Sequence, residues 1–338
     1  MYYSGARQVL GYVGYAYENE AIRRNLDGSF ARLLLAVEQH PAMLLYLDNA
    51  ASAGPDSPIG RRRERGLNEN LAREILELHT LGVDGGYTQE DVTALARMIT
   101  GWSVDQNRAG SNGENSGQFV FRNLFHEPGT QILLGKKYGQ SGVRQGEQAL
   151  KDLATHPATA RHIAHKLVKH FVADNPPPEA VSTIERVFLA TEGHLPSVHE
   201  ALIGLEDAWQ TGNRKFKTTE EFLVSLARAA LNGENSTTLL PLFLRAQQTL
   251  GQAPFTASSP AGWPDDSAAW AHPDAILKRV EWVNMLVQQM PPHPDPLALH
   301  EEILPGHEST RAELSRAEST TQAMVLLFAN PQFQWRGA

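Results

Sequence analysis

From Asn68 to Leu81 the chain reads NENLAREILELHTL, and its acids are the side chains best placed to do chemistry. At α-helical spacing Asn70, Arg73, Glu74 and Glu77 fall on one face, opposite the apolar stripe of Leu71, Ile75 and Leu78. Glu69 stands four residues before Arg73, the favourable order for a helical ion pair. On an exposed face these charges only solvate the helix. Buried against other helices, Glu69, Glu74 and Glu77 could act as general bases or receive a cation. His126, beside Glu127 in the turn HEPG, is a fourth catalytic candidate. No Glu-x-x-His occurs, and Glu77 and His79, two residues apart, point in different directions. No metal set is therefore assigned, and the sequence leaves the cofactor open.

The complementary feature is basic. In ATARHIAHKLVKHFV, Arg161, His165 and Lys169 make one row, and His162, Lys166 and His170 the next. Neighbouring Lys and Arg disfavour a metal at the His162/His165 pair and favour an anion, an acidic helix or a carboxylate-bearing ligand. Arg73, Arg97, Arg161, His162, His165 and Lys166 are thus binding candidates. The acids of 68–81 are expected to pair with Arg97, Arg161 or Lys166. Trp263 and Trp270 lie on the Pro-rich loop SPAGWPDDSAAW. Indoles there usually pin a loop, and Trp263 is also a candidate stacking platform. The turn VDGGYTQED fails as a calcium loop, because its early carboxylates and bidentate Glu are missing. No phosphate loop, nucleophile elbow or dinucleotide fingerprint is present.

These residues must be carried by helices. Helical periodicity recurs from about residue 18 to 329, broken by Gly, Pro and Asn. Thr88 with Asp91 reads as a capping box, and Pro41 as the start of a new helix. The one β signal is short: 118–122 and 131–134 flank His126–Gly129 and read as a hairpin near 117–135. The expected fold is all-α, a multi-helix orthogonal bundle with that one hairpin. It is read as one domain over 1–338, with room for lobes on either side of the Pro-rich break at 173–178.

Bulk properties narrow the function classes. The chain has 338 residues, no cysteine and a formal net charge of -8. Thiolate chemistry and Cys-ligated metals are excluded, and no nucleic-acid partner is expected of so acidic a chain. No apolar run is long enough to span a bilayer, and residues 1–20 lack the pattern of an export signal, which makes the cytoplasm the default location.

The segments HPAMLLYLDN, NENLAREILELHTLGVDGGYTQEDVTALARMITGW, HEPG with LGKKYG, HPATARHIAHKLVKHFV, SPAGWPDD and NPQFQWR resemble the bacterial family DUF1800, a domain of unknown function. The resemblance covers about residues 18–338. It implies a mainly helical fold, and a partner that resembles sulfatases and is encoded nearby. It also implies export for many members, so the periplasm is the alternative location. Members usually carry a further N-terminal helical segment, which this chain is expected to lack. Two functional expectations follow. The first is a helical binding or scaffold protein acting with a partner. The second is a hydrolytic or oxidative enzyme, metal-dependent or with a polar cleft, using the carboxylates of 68–81. Whether the protein is an enzyme is left open by the sequence.

Overall fold

The computed structural model describes residues 13–63, 66–105, 117–210, 215–231, 236–290 and 294–336. The stretch read above for an export signal lies, up to residue 12, outside the described residues. The fold is mostly helical, 62%, with two small antiparallel sheets. The chain forms two compact units, each described by itself. Unit 1 runs to Val168 and takes in Pro176–Leu205 and Ser258–Gly262. Unit 2 comprises Lys169–Asn175, Glu206–Ala257 and the chain from Trp263 onward.

In unit 1, helix Phe30–Glu38 starts where the Ser29 hydroxyl accepts the Arg32 N–H, satisfying one of the first-turn donors. Pro41 opens the next helix, Pro41–Tyr46, with His40 Nδ1 accepting the Ala42 N–H at 3.1 Å. Helix Asn70–Glu74 passes directly into a π-helical turn, Ile75–His79. Helix Gln89–Met98 begins with the expected Thr88/Asp91 capping box. Leu34, Val37, Met43, Leu71, Ile75, Val92, Leu95 and Trp102 are buried in this unit. Each such burial stabilises the fold by about 1.5–3 kcal/mol.

The expected hairpin is replaced by two sheets. Strand β1 (Trp102–Val104) pairs with β2 (Phe119–Phe121), with Trp102 opposite Phe121. Strand β3 (Gln131–Leu133) pairs with β4 (Lys136–Tyr138). The 118–122 and 131–134 segments therefore do not pair with each other. Leu134 and Gly135 both take positive φ, 49° and 74°, and close β3–β4 as a tight two-residue turn. Leucine is a poor residue for that conformation, so the turn carried no sequence signal. Asp91 Oδ1 holds it by accepting the Leu134 N–H at 2.6 Å.

Unit 2 packs Thr219–Ala230, Ser236–Thr249, Pro273–Gln288 and Thr320–Ala329 around Phe222, Leu226, Phe243, Trp282, Leu286, Met324 and Phe328. The helical stretch near the end of the chain is two helices, not one. Glu308–Leu314 ends, and Ser319 caps a new helix by accepting the Gln322 N–H. A further helix, Pro296–Ile303, had no clear periodic signal.

Candidate functional site

The polar centre of unit 1 is built around the π turn. One extra residue in that turn shifts every later side chain off the α-helical register. Glu77 and His79 are therefore not where α spacing puts them. Three of the turn's carbonyls find partners outside the helix ladder. The Thr80 hydroxyl donates to Ile75 O (2.7 Å), the Gly82 N–H to Leu76 O (3.1 Å), and His162 Nε2 to Leu78 O (3.2 Å). Gly82 has φ 85°, and a Cβ there would lie 2.6 Å from the His162 ring, so both conformation and space demand glycine.

The π turn delivers His79 to Glu38, the last residue of helix 30–38. Glu38 is 0% exposed and His79 3%, and His79 Nδ1 lies 2.8 Å from Glu38 Oε1. The approach is close, but the two groups lack the alignment of a good hydrogen bond, and neither Glu38 oxygen has any hydrogen-bond partner. Buried carboxylates normally collect several donors. Glu74 lies within electrostatic range of this pair. Burial pushes its carboxyl above the usual range; His79 opposes, and Glu77 and Glu38 add to the rise. Tyr87 donates to Glu77, and burial, then the Glu77 charge, raises its phenol. Glu74, Glu77 and Tyr87 are all partly exposed, so the centre reaches solvent through them.

Several sequence candidates are placed elsewhere. Glu69 accepts from Thr93 (2.8 Å), Gln89 (2.8 Å) and Arg73 (3.3 Å), and those bonds, Thr93 foremost, lower its pKa. It locks the start of helix 70–74 onto helix 89–98, and the expected Glu69–Arg73 pair is present. His126 and Glu127 form a separate buried corner. His126 Nδ1 donates to Thr100 O at 3.0 Å, and burial lowers its pKa. Glu127 takes the Asp56 N–H at 2.9 Å and donates its own N–H to Thr100 Oγ1 at 2.8 Å. That corner ties the 52–57 loop to Thr100.

Arg97 and Arg161, two expected partners of the acidic face, are committed to other acids. Arg97 lies 4.0 Å from Glu127, and Arg161 3.4 Å from Glu185. Lys166 and His165 are exposed. Arg161, His162 and His165 share an open cleft of about 630 Å³ with Leu81, Gly82 and Glu185. Burial, the largest cause, holds His162 below its ordinary pKa. In unit 2, Trp270 is buried with its indole N–H on Pro264 O (3.0 Å), while Trp263 stands edge-on to it at 6.3 Å and half-exposed.

Sequence reasoning missed Glu38. Its signal was legible: four residues after Leu34 and next to Val37, it puts a carboxylate inside an apolar stripe. His79's role was not legible, because α spacing points it elsewhere. Among the described residues no three His, Asp or Glu side chains are grouped to hold a metal ion, and no helix is long and apolar enough to cross a membrane.

No curated protein and no solved structure matches the chain. The NENLAREILELHTLGVDGGYTQED stretch and the HPATARHIAHKLVKHFV helix both fall within the range of one family model. That model, described as protein of unknown function (DUF1800), matches residues 2–335, and the chain belongs to that family.

Proposed function

We propose that the protein is a helical binding protein acting with a partner, and that the acid centre of unit 1 receives a cationic group from that partner. The observation that carries this reading is Glu38, a fully buried carboxylate with no hydrogen bond to either oxygen. The partly exposed Glu74 lies within electrostatic range of Glu38, Glu77 and His79. An ammonium or guanidinium entering beside them gains charge-assisted hydrogen bonds that the free protein lacks. The sulfatase-like proteins implied by the family resemblance are the first partners to test. The reading has no place for nucleic acid.

The probe is argininamide, a guanidinium without a competing carboxylate, titrated calorimetrically at pH 7.5 and low salt. Binding is expected to weaken about tenfold or more in Glu74→Gln, the loss of one charge-assisted hydrogen bond, and to weaken with added salt. Equal binding by wild type, Glu38→Gln and Glu74→Gln would refute it. A second reading has its own observation: Glu74, half-buried with its pKa raised beside a π turn, has the character of a general acid. Turnover of a chromogenic ester, glycoside or phosphodiester that is lost in Glu74→Gln while Glu38→Gln keeps it would favour the enzyme.

A further inference from the structure

In unit 2, the segment Lys215–Lys217 runs antiparallel to Gln334–Arg336. Phe216 bridges Trp335, the Lys217 N–H donates to Gln334 O, and the Arg336 N–H donates to Lys215 O, both at 2.8 Å. Thr218 then opens helix 219–230 with a capping box to Glu221. This double anchoring fixes the Lys217 side chain. Its Nζ donates to Phe333 O at 2.8 Å and stands 4.2 Å from the Phe333 ring centroid. Beside it, Arg279 is 2% exposed and stacks on Phe216 and Phe222 at 4.8 and 4.9 Å. Its guanidinium donates to Lys217 O (2.8 Å) and Gln334 Oε1 (3.2 Å).

Among the described residues, neither Lys217 nor Arg279 forms an ion pair with a carboxylate. Glu221 is occupied: one oxygen accepts the Thr218 N–H at 2.9 Å, and the other pairs with Arg336 at 2.6 Å. Burial works against both charges and Glu221 supports both, while the neighbouring Arg279 disfavours the charge on Lys217. Burial, opposed by Glu221 and helped by Arg279, pushes the Lys217 ammonium down to about 8. Burial also brings Arg279 down to about 10. At pH 7.5 roughly a quarter of Lys217 is then free amine, against about one part in a thousand for an ordinary lysine. Next to Lys217 opens a cleft of about 520 Å³, walled by Val224, Ile303 and Trp335 and edged by Glu220 and Ser225. A tucked structural lysine would need no such opening.

We propose that Lys217 is the nucleophile of a carbonyl-binding site that takes aldehydes or ketones with an apolar or aromatic body and holds them as an imine. Desolvation and a neighbouring cation are the two established ways to make a lysine reactive, and both act here. The amine lone pair forms a bond to the carbonyl carbon, and the carbonyl π pair moves to oxygen, which takes a proton. The oxygen's proton comes from the attacking nitrogen; the hydroxyl of the carbinolamine then takes a second proton from solvent in the open cleft and leaves as water as the nitrogen lone pair forms the C=N bond, and the iminium nitrogen returns its last proton to solvent. No oxidant or reductant is needed. Trp335, Val224 and Ile303 supply the wall for the body of the ligand.

The test uses the full chain with benzaldehyde and sodium cyanoborohydride at pH 7.5, which reduces the imine to a stable secondary amine located by peptide mass mapping. Lys217 is expected to label about tenfold faster than the exposed Lys137 and Lys151, with a rate that rises with pH and levels off above about 8. Lys217→Arg removes that adduct and leaves the others. Val224→Trp narrows the cleft, and it is expected to slow benzaldehyde at Lys217 severalfold more than acetaldehyde. Labelling of Lys217 in the wild type no faster than Lys137 or Lys151 overturns the nucleophile. Equal slowing of the two aldehydes by Val224→Trp overturns the carbonyl site in the cleft.

Discussion

Lys215 in unit 2 and Glu38 in unit 1 are both charged side chains withdrawn from water, 3% and 0% exposed, yet their surroundings differ. Lys215 Nζ reaches Asp174 (2.9 Å), Asp265 (3.3 Å) and the carbonyls of Lys169 (2.8 Å) and Asp265 (2.6 Å), so its donors are fully used. Burial works against the charge on Asp174 and Asp265, but hydrogen bonds from Ser267, His170 and Lys215 outweigh it and lower both pKa values. Glu38 has one close imidazole and no aligned hydrogen bond. A satisfied buried charge is a structural rivet; an unsatisfied one costs stability and is kept for another reason. The contrast separates the two roles without reference to sequence position.

The largest effect expected from breaking this contrast is at Lys215. Lys215→Met should cost about 3 kcal/mol, the low end for breaking a buried pair, because Asp174 and Asp265 keep about a third of their side chains in water. Glu38→Gln should cost less than about 1 kcal/mol, because it keeps the shape of a side chain whose oxygens no aligned hydrogen bond supports. Chemical denaturation of both variants decides the matter. Equal losses would erase the distinction between rivet and unsatisfied centre.

Acid should also tell the units apart. His40, His126 and His162, all in unit 1, are held below 6.5 chiefly by burial. A histidine whose folded pKa is depressed contributes stability above pH 6.5, and that stability is lost as pH falls through the folded value. For His40, protonation also removes the Nδ1 lone pair that accepts the Ala42 N–H. Glu74 has the opposite sign: its raised pKa favours the folded state at low pH, and that contribution fades as pH rises through the folded value above 4.5. Asp174 and Asp265 in unit 2 have depressed values, so their stabilisation is present above 3.8 and lost only as pH falls further. Hydrogen exchange is therefore expected to show unit 1 loosening below pH 6.5 while unit 2 holds to below pH 4. Simultaneous loosening would show that these groups do not set the acid response. Glu74→Gln should make unit 1 more stable at pH 7 and leave it unchanged near pH 3.

The smallest expected effect is at the exposed Arg161–Glu185 pair in the 630 Å³ cleft. Arg161→Ala should change stability by about 0–0.5 kcal/mol, because solvent screens the pair. A loss above about 1 kcal/mol would move Arg161 from a cleft residue to a structural one.

The helices, their caps and the family were written in local patterns. The Thr88/Asp91 capping box, the restart at Pro41 and the apolar stripe of 71–78 depend on residues within one or two turns of each other. Glu74 and Glu77 were legible as candidates for the same reason. Glu69 and His126 were legible as polar candidates, but only the fold shows which partners, Thr93, Gln89 and Thr100, they meet. The pairing of β1 with β2 and the Leu134–Gly135 turn were hidden, because three-residue strands barely show alternation and leucine does not advertise positive φ.

What the sequence alone determined is most of the helices with their caps and the supply of charged groups, because helix periodicity and capping act over a few residues. What only the tertiary structure decided is which charges are buried and which are satisfied. Glu38 meets His79 through a π turn that α spacing cannot anticipate, and Lys215 meets Asp174 and Asp265 through three separate stretches of chain. The energy of a buried charge is set by partners far away in sequence, so it becomes readable only once the chain has folded.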